Sequence, residues 1–496
     1  MGVNITKGEF KTGDLAASEY ALQSNLRTLA GLLNNPEFGH LRAGRPALGA
    51  ELEMYIVDGD GQPLGINEAL VADADDPLLS LELNRYNLEY NLRPYSFSEA
   101  AFEATERDML QQLARLNQLA EQRGGEVLPI GILPTLKPSH FGPSMLTPQQ
   151  RYVSLVKQLS RNRGEQFRIH IDGQQPLRVA MPDVTLEGAN TSFQIHYRVE
   201  PQRFADTFNA FQLVTPLVVA VAANSPGLFE HDLWHETRIP LFKQSIDARV
   251  KGRYSWQEPA RVNFGHGWLR DSALELFQEI VNLYPPLLPL CQDGASACND
   301  DGVPLLSELR LHQSTVWWWN RPVYDDADGG HLRIELRSLP AGPTPVDMSA
   351  NAAFYIGLAE YYREEMSKLM PALPFHLAEY NFYRAAQSGL DATLVWPDSN
   401  QSRCRQYPIA TLLEQQLPRA REGLAKLGIS REEADKYLSV IEARVAKRQS
   451  GASWQKAGLK YLLHRHDSST AHRMMLQRYM EHSANNTPVS EWPQWQ

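Results

Sequence analysis

Gly49-Ala50-Glu51-Leu52-Glu53-Met54-Tyr55-Ile56-Val57 decides how this chain is read. Leu52, Met54 and Ile56 alternate with Glu51, Glu53 and Tyr55, and side chains of a strand alternate between faces. The stretch is therefore expected as a β-strand that sets two carboxylates on one face. A half-solvated antiparallel strand also carries glutamate outward. Three further stretches decide between the two readings.

In Asn87–Arg93 the polar set is Asn87, Glu89, Asn91 and Arg93; in Ser192–Val199 it is Ser192, Gln194, His196 and Arg198. In His331–Arg337 it is His331, Arg333, Glu335 and Arg337. Each stretch keeps one clean apolar face. Lysine is absent from all four, although a merely solvated face favours Lys, Thr and Ser. Four such strands predict a sheet that packs helices on one side and holds charge on the other.

At 496 residues the chain exceeds the usual size of one small core. Its 43% hydrophobic and 21% charged composition is that of a soluble globular protein. The net charge of −10 argues against non-specific binding to nucleic acid or to an anionic membrane. Cys291, Cys298 and Cys404 form an odd set without metal-ligand spacing, and a reducing cytoplasm is expected. The start lacks the charged-then-apolar pattern of a signal peptide. Met1–Thr6 matches the loose myristoylation pattern, which short stretches often match by chance, and the glycosylation patterns at Asn190–Ser192 and Asn400–Ser402 carry no meaning in the expected cytoplasm. Leu213–Ala223 is the longest apolar run, contains Pro216, and is too short to span a bilayer; a buried helix is expected.

Along the chain, a helix is expected over Leu15–Leu33 and a turn at Asp58–Gly61. Ser96 and Glu99 form a capping box for a helix reaching about Gln122, and Glu126–Leu133 returns as a strand. Pro134–Pro148 reads as a loop over a site, and Thr147, Pro148 and Gln150 start a helix. Strands are expected over Gln175–Met181 and Ser192–Val199, and a helix from Pro201 to Ala223. His235 with Glu236 suggests a surface helix rather than a second metal site, and Trp317–Trp319 suggests packing and sheet edge. Asp347 is expected to cap a long helix; beyond it, helices are expected over 347–370, 376–389, 408–427, 431–448 and 454–481, with Ser430 and Glu433 as another capping box. The pattern is α+β, mostly antiparallel strands first and helices later.

Glu51, Glu53, Glu89 and Glu335 repel one another if they converge, unless cations or raised pKa values relieve them. Mg2+, shared with phosphate oxygens, is the natural remedy. Arg333 and Arg337 suit bidentate grip of phosphate or carboxylate. Neither a G-x-x-x-x-G-K-[ST] loop, nor a glycine-rich dinucleotide turn, nor a G-x-S-x-G elbow is present. A nucleotide is therefore expected to be held by metals and side chains.

Gly49-x-Glu51-x-Glu53, the Leu88-Glu89 strand, the His196 strand, Asn224-Ser225-Pro226 and Arg333-Ile334-Glu335-Leu336-Arg337 follow in this order. Together, over roughly residues 45 to 365, they resemble the glutamate–cysteine ligases of the glutamine-synthetase-like carboxylate–amine ligase superfamily. The resemblance implies a curved, mostly antiparallel sheet forming an open funnel, with helices on its outer face. It implies a catalytic domain over 1–370 with a helical C-terminal region, 371–496, packed on it. It also implies ATP with Mg2+ (or Mn2+), glutamate or a related carboxylate, and cysteine or another amine, in a step of glutathione biosynthesis. By the same resemblance, Glu51, Glu53, Glu89, His196 and Glu335 are metal ligands, and Arg333, Arg337 and Gln194 bind ATP. Arg337 and Glu335 are catalytic; Arg238, Asn91 and Arg198 touch substrate. Arg198 departs from the pattern, standing where a small or amide residue is expected.

Two other activities use the same residues. A guanidino-kinase-like phosphotransferase makes ADP without releasing phosphate, and a non-catalytic nucleotide or amino-acid binder has no use for several converging carboxylates. An enzyme nucleophile is not needed for the ligase reaction, in which an amine displaces phosphate from an acyl phosphate.

Overall fold

A computed structural model describes residues 10–38, 46–249, 257–291, 297–398 and 403–495. The Met1–Thr6 and Asn400–Ser402 patterns lie outside the described residues.

The strand that opened the reading is β1 (Ala47–Asp58), and β2 (Leu79–Leu81), β3 (Asn87–Ser96) and β4 (Gly125–Leu128) follow it in the chain. Later come β5 (Phe193–Val199), β6 (Asn320–Asp325) and β7 (His331–Leu336). The seven form one sheet in the order β6-β7-β5-β1-β3-β2, with β4 also paired to β1. Every pairing in it is antiparallel, and the sheet curls into a half-barrel. Register fixes the site: Glu51 stands opposite Asn91 and Gln194, and Glu53 opposite Glu89. His196 stands opposite Glu335, which stands opposite Arg321. Because side chains alternate along each strand, these pairings gather the polar sets on one face.

The other face is apolar, and helices cover it. They include α1 (Ala101–Glu121), α3 (Phe204–Ala222) and α4 (Pro345–Tyr362); α2 (Gln150–Arg163) instead borders the polar face. Leu52, Met54 and Ile56 are buried. Tyr197 of β5 meets Phe211 of α3 at 5.3 Å between ring centroids, and Phe211 meets Tyr355 of α4 at the same distance. Residues Thr207–Ala222 are all buried. Among the described residues, α3 with its preceding turn is the one helix long and apolar enough to cross a membrane, and it serves as core.

Several boundaries differ from expectation for local reasons. The Ser96/Glu99 box caps a short 3-10 turn, Phe97–Glu99, and Ala100 then takes a left-handed conformation before α1 begins. Thr344, not Asp347, caps α4: its Oγ1 accepts from Asp347 N at 3.2 Å. The stretch expected as one helix over 454–481 is two, Gly451–Leu462 and Ser468–Ala484, because the Asp467 carboxylate accepts from Thr470 N at 3.1 Å and starts a new helix. Phe167–Ile171 and Thr393–Pro397 with Cys404–Pro408 are strands in small separate sheets.

The C-terminal region is helical, with α5 (Ile409–Lys426), α6 (Arg431–Lys447) and the two helices after them. A buried ion pair ties it to the rest: Arg444 Nη2 of α6 lies 2.7 Å from Asp347 Oδ1 of α4, with both side chains at most 1% exposed.

Candidate active site

The polar face encloses a cavity of about 340 Å3. Glu51 and Glu53 of β1, Glu89 of β3, Gln194 of β5 and Glu335 with Arg337 at the end of β7 line it. These groups come from four strands far apart in sequence and meet because the register aligns them. A smaller lobe continues past Glu51 and Glu335 to His196, Arg333 and Asp325.

Two halves of the cavity differ electrostatically. In one, His196 Nε2 lies 3.0 Å from Glu51 Oε1 and 3.9 Å from Glu335 Oε1. Glu335 is held by Arg337 Nη1 at 3.1 Å and by Arg321, whose Nη2 is 3.0 Å away and whose Nε also reaches the carboxylate. Burial raises the pKa of Glu335, but Arg321, Arg337 and His196 more than offset it and bring it to about 2. Glu51 is likewise held well below the usual carboxylate range: burial is outweighed by the charge and hydrogen bond of His196.

In the other half, Glu53, Glu82 and Glu89 converge, with ligand atoms within 4.8 Å of one another. Among the described residues none of the three makes an ion pair. Glu53 is oriented by Ser192 N and Gln194 Nε2, each donating at 2.7 Å. Glu89 accepts from Asn91 Nδ2 at 3.0 Å and Ser80 Oγ at 3.3 Å. Burial, and then Glu51 and Glu53, push Glu89 up to about 8; burial and the neighbouring Glu89 and Glu53 push Glu82 well above the usual carboxylate range. Glu53 is raised as well, by burial against the pull of Arg337 and Arg238.

This second half fits a hard divalent cation. It offers carboxylate oxygens without an ion-pair partner among the described residues, and hydrogen bonds that fix the ligands. The first half, Glu51, His196 and Glu335, also brings its ligand atoms within 4.8 Å. There the charge of Glu335 is already met by two arginines. Moreover, Arg333 Nε lies 3.0 Å from His196 Nδ1 and donates to it only while the ring is neutral, with its proton on Nε2. A metal on Nε2 thus requires Arg333 to turn away.

The remaining expected residues divide. Asn91 reaches the site through Glu89. Arg333 sits in the smaller lobe, paired with Asp325 at 2.6 Å. Arg337 bonds Gln194 and keeps a buried Nε without a partner. Arg198 pairs with Asp328 at 3.3 Å and is not part of the cavity wall. Arg238 is buried behind the wall, 3.2 Å from Glu236 and 3.3 Å from the Ser338 carbonyl.

Glu236 is not on a surface helix, as the sequence suggested. It is fully buried and accepts from Asn224 N at 2.9 Å and Ser225 Oγ at 2.6 Å, so it locks the Asn224-Ser225-Pro226 motif in place. Trp318 and Trp319 are buried packing, as expected, whereas Trp317 lines the cavity with Leu155 and Ile246.

Sequence reasoning missed Glu82, Glu187, Arg321 and Arg151, all on the cavity wall. Leu81-Glu82-Leu83 continues the alternation of β2 and carried a signal. Arg321 faces Glu335 through a strand pairing invisible in sequence. Glu187 lies in the 3-10 turn Thr185–Ala189, and Arg151 in the first turn of α2; neither place has a strand period.

A curled antiparallel sheet with helices outside and acidic and arginine side chains inside is the architecture of the glutamine-synthetase-like ligases. The sequence profile of Glutamate-cysteine ligase family 2 (GCS2) matches residues 47–482. The chain belongs to this family, and is a carboxylate–amine ligase by that membership. Among solved structures, the glutamate–cysteine ligase of Francisella tularensis in complex with AMP is similar in fold. It is 10% identical, aligned over 89% of each chain, with a TM-score of 0.51. A bifunctional glutathione synthetase from Pasteurella multocida, 11% identical, aligns over 95% of this chain and 55% of its own with a TM-score of 0.47. No curated protein matches the chain significantly.

Proposed function

We propose that the chain joins the γ-carboxylate of glutamate to the amino group of cysteine at the expense of ATP, forming γ-glutamylcysteine. The observation that carries this reading is the meeting, in one cavity, of the carboxylate group Glu53, Glu82 and Glu89 with Arg337 and Arg321. The AMP in the similar Francisella tularensis enzyme supports nucleotide binding here.

The reaction has two displacements. A γ-carboxylate oxygen attacks the γ-phosphorus of ATP and ADP leaves, giving γ-glutamyl phosphate; the amine then attacks the acyl carbon and phosphate leaves. Glu53, Glu82 and Glu89 would hold Mg2+, which when bound would neutralise phosphate charge. Arg337 offers its unpartnered Nε–H to phosphate oxygens, while Gln194 and Glu335 fix its guanidinium. Arg333, once released from His196, adds a second positive group. His196, Glu51 and Glu335 would hold a second cation in that arrangement. Arg238 acts from behind, through its charge on Glu53 and its bond to the Ser338 carbonyl beside Arg337. Asn91 orients Glu89. The apolar wall of Leu155, Ile246 and Trp317 buries a purine or a substrate side chain.

The test is phosphate release by the purified chain with MgATP and a panel of amino acids taken singly and in pairs. Release that requires glutamate and cysteine together, with γ-glutamylcysteine in the mass spectrum, is expected. ADP formed without phosphate, alongside a stable phosphorylated product, identifies a phosphotransferase instead.

A further inference from the structure

Beside the main cavity lies a second, much smaller chamber. Glu53, Glu82 and Glu187 border both, and Asn87, Gly188, Asn190 and Thr191 complete the small one. Its volume of about 10 Å3 is that of a single water or a bare cation.

Its polar groups are unusual. Asn87 is 2% exposed, and neither its Nδ2 nor its Oδ1 has a hydrogen-bond partner. Asn190 Oδ1 is buried and unpartnered too. Buried amides are nearly always paired, so two in one chamber call for an occupant. No lysine or arginine among the described residues lines it. Three carboxylates and two amide oxygens border the chamber and suit a cation, with Glu187 outside the group that Glu53, Glu82 and Glu89 form within 4.8 Å of one another.

The turn that carries Glu187 is held for this purpose. Asn84 Nδ2 donates to Thr185 O at 3.0 Å, and a Cβ on Gly188 would come within 2.3 Å of that same nitrogen. Glycine therefore lets the turn press against Asn84 and bring Glu187 to the chamber.

We propose that this chamber is a small-cation site, made by Glu187 and Asn87 with Glu53 and Glu82 as charge partners, and distinct from the Glu53/Glu82/Glu89 group. Two sources share that chemistry: an inorganic cation, and the ammonium head of an amino-acid substrate. The second source rests on the ligase reading above; the first does not.

Mn2+ is the probe. Bound Mn2+ per chain is counted by electron paramagnetic resonance in the nucleotide-free wild type, Glu187→Gln and Asn87→Leu. Half-saturating concentrations of L-glutamate and of glutarate, which lacks the ammonium, are then compared in the phosphate-release assay with MgATP and cysteine. An inorganic cation makes each variant bind one Mn2+ fewer than wild type. A substrate ammonium leaves the count unchanged, while a preference for glutamate over glutarate of about tenfold or more in wild type collapses in both variants. Both substitutions are close in size to the native side chains, and a cooperative thermal melt confirms folding. Unchanged count and unchanged preference overturn the proposal. An Asn87→Leu chain that also melts higher then marks the chamber as an empty packing fault. If no amino acid supports phosphate release, the ligase reading has failed, and the Mn2+ count alone decides the chamber.

Discussion

Glu89 and Glu335 face one cavity from two strands, and burial raises both, yet they end on opposite sides of neutrality. Glu335 has Arg321 and Arg337 beside it and falls to about 2; Glu89 has Glu51 and Glu53 and rises to about 8, as Glu187 does beside Glu53. A carboxyl whose folded value lies above its ordinary 4.5 binds protons more tightly in the folded chain. The stability it contributes is complete below 4.5 and is lost as pH rises through about 8. His235, His312 and His331, which burial pushes to about 4, act oppositely, adding stability as pH rises toward 6.5. The clean window is therefore 6.5 to 8. In it the metal-free chain is expected to melt at falling temperature, and saturating Mg2+ to flatten the slope. Calorimetric melts in chelator and in Mg2+ check this; a flat profile in chelator contradicts it. Arg337 carries a second prediction at this scale. Arg337→Lys keeps the charge but loses the planar fork, so kcat is expected to fall by about 10²-fold or more, the scale of one lost transition-state donor. Steady-state kinetics in which kcat moves less than about twofold would remove Arg337 from the reacting phosphate.

At the scale of elements, alternation in β1, β3, β5 and β7 made Glu51, Glu53, Glu89, His196 and Glu335 legible, since a period of two says which side chains share a face. It does not say which strand lies next to which. Arg321 was lost for that reason, and Glu187 because a 3-10 turn has no face to read. Helix caps failed in an instructive way. The Ser96/Glu99 box is spent on a turn, so the first amides of α1 need another acceptor. Glu433 supplies it: its Oε1 accepts from Phe102 N at 3.0 Å and Glu103 N at 3.2 Å. In sequence, Glu433 reads as the partner of Ser430, which does accept from Glu433 N at 3.1 Å. The carboxylate instead caps a helix more than three hundred residues away, a contact no local rule contains. Glu433→Ala is expected to cost about 1–2 kcal/mol, the range for a lost N-cap, and Glu433→Gln less, since an amide oxygen still accepts. Chemical denaturation of the two variants beside the wild type measures it; an alanine variant as stable as wild type disproves the cap.

For the whole molecule, the question is what keeps the C-terminal helices on the catalytic sheet. The Arg444–Asp347 pair is the strongest candidate. Arg444 Nη1 also donates to Asn351 Oδ1 at 2.6 Å, and Nη2 to the Asp347 carbonyl at 3.0 Å. Asp347 in turn accepts from Val489 N at 3.0 Å, so one carboxylate joins α4, α6 and the chain's last turn. Taking both charges out of water is costly, and the pair is held by hydrogen bonds to both the guanidinium and the carboxylate, with Arg444 Nε and Asn351 Nδ2 left unpartnered. Removing one partner strands the other: Arg444→Ala or Asp347→Ala is each expected to destabilise by about 3–5 kcal/mol. Because α4 packs behind β5, the same loss reaches the cavity wall, and the variants are expected to lose ligase activity on mild heating before wild type does. The double variant Arg444→Leu/Asp347→Leu separates charge from contact. If stranded charge is the cause, the double variant is more stable than either single one. If the hydrogen bonds themselves hold the helices, it is at least as unstable as both. Urea titrations of the four chains, followed by residual phosphate release after a fixed heat step, distinguish the two.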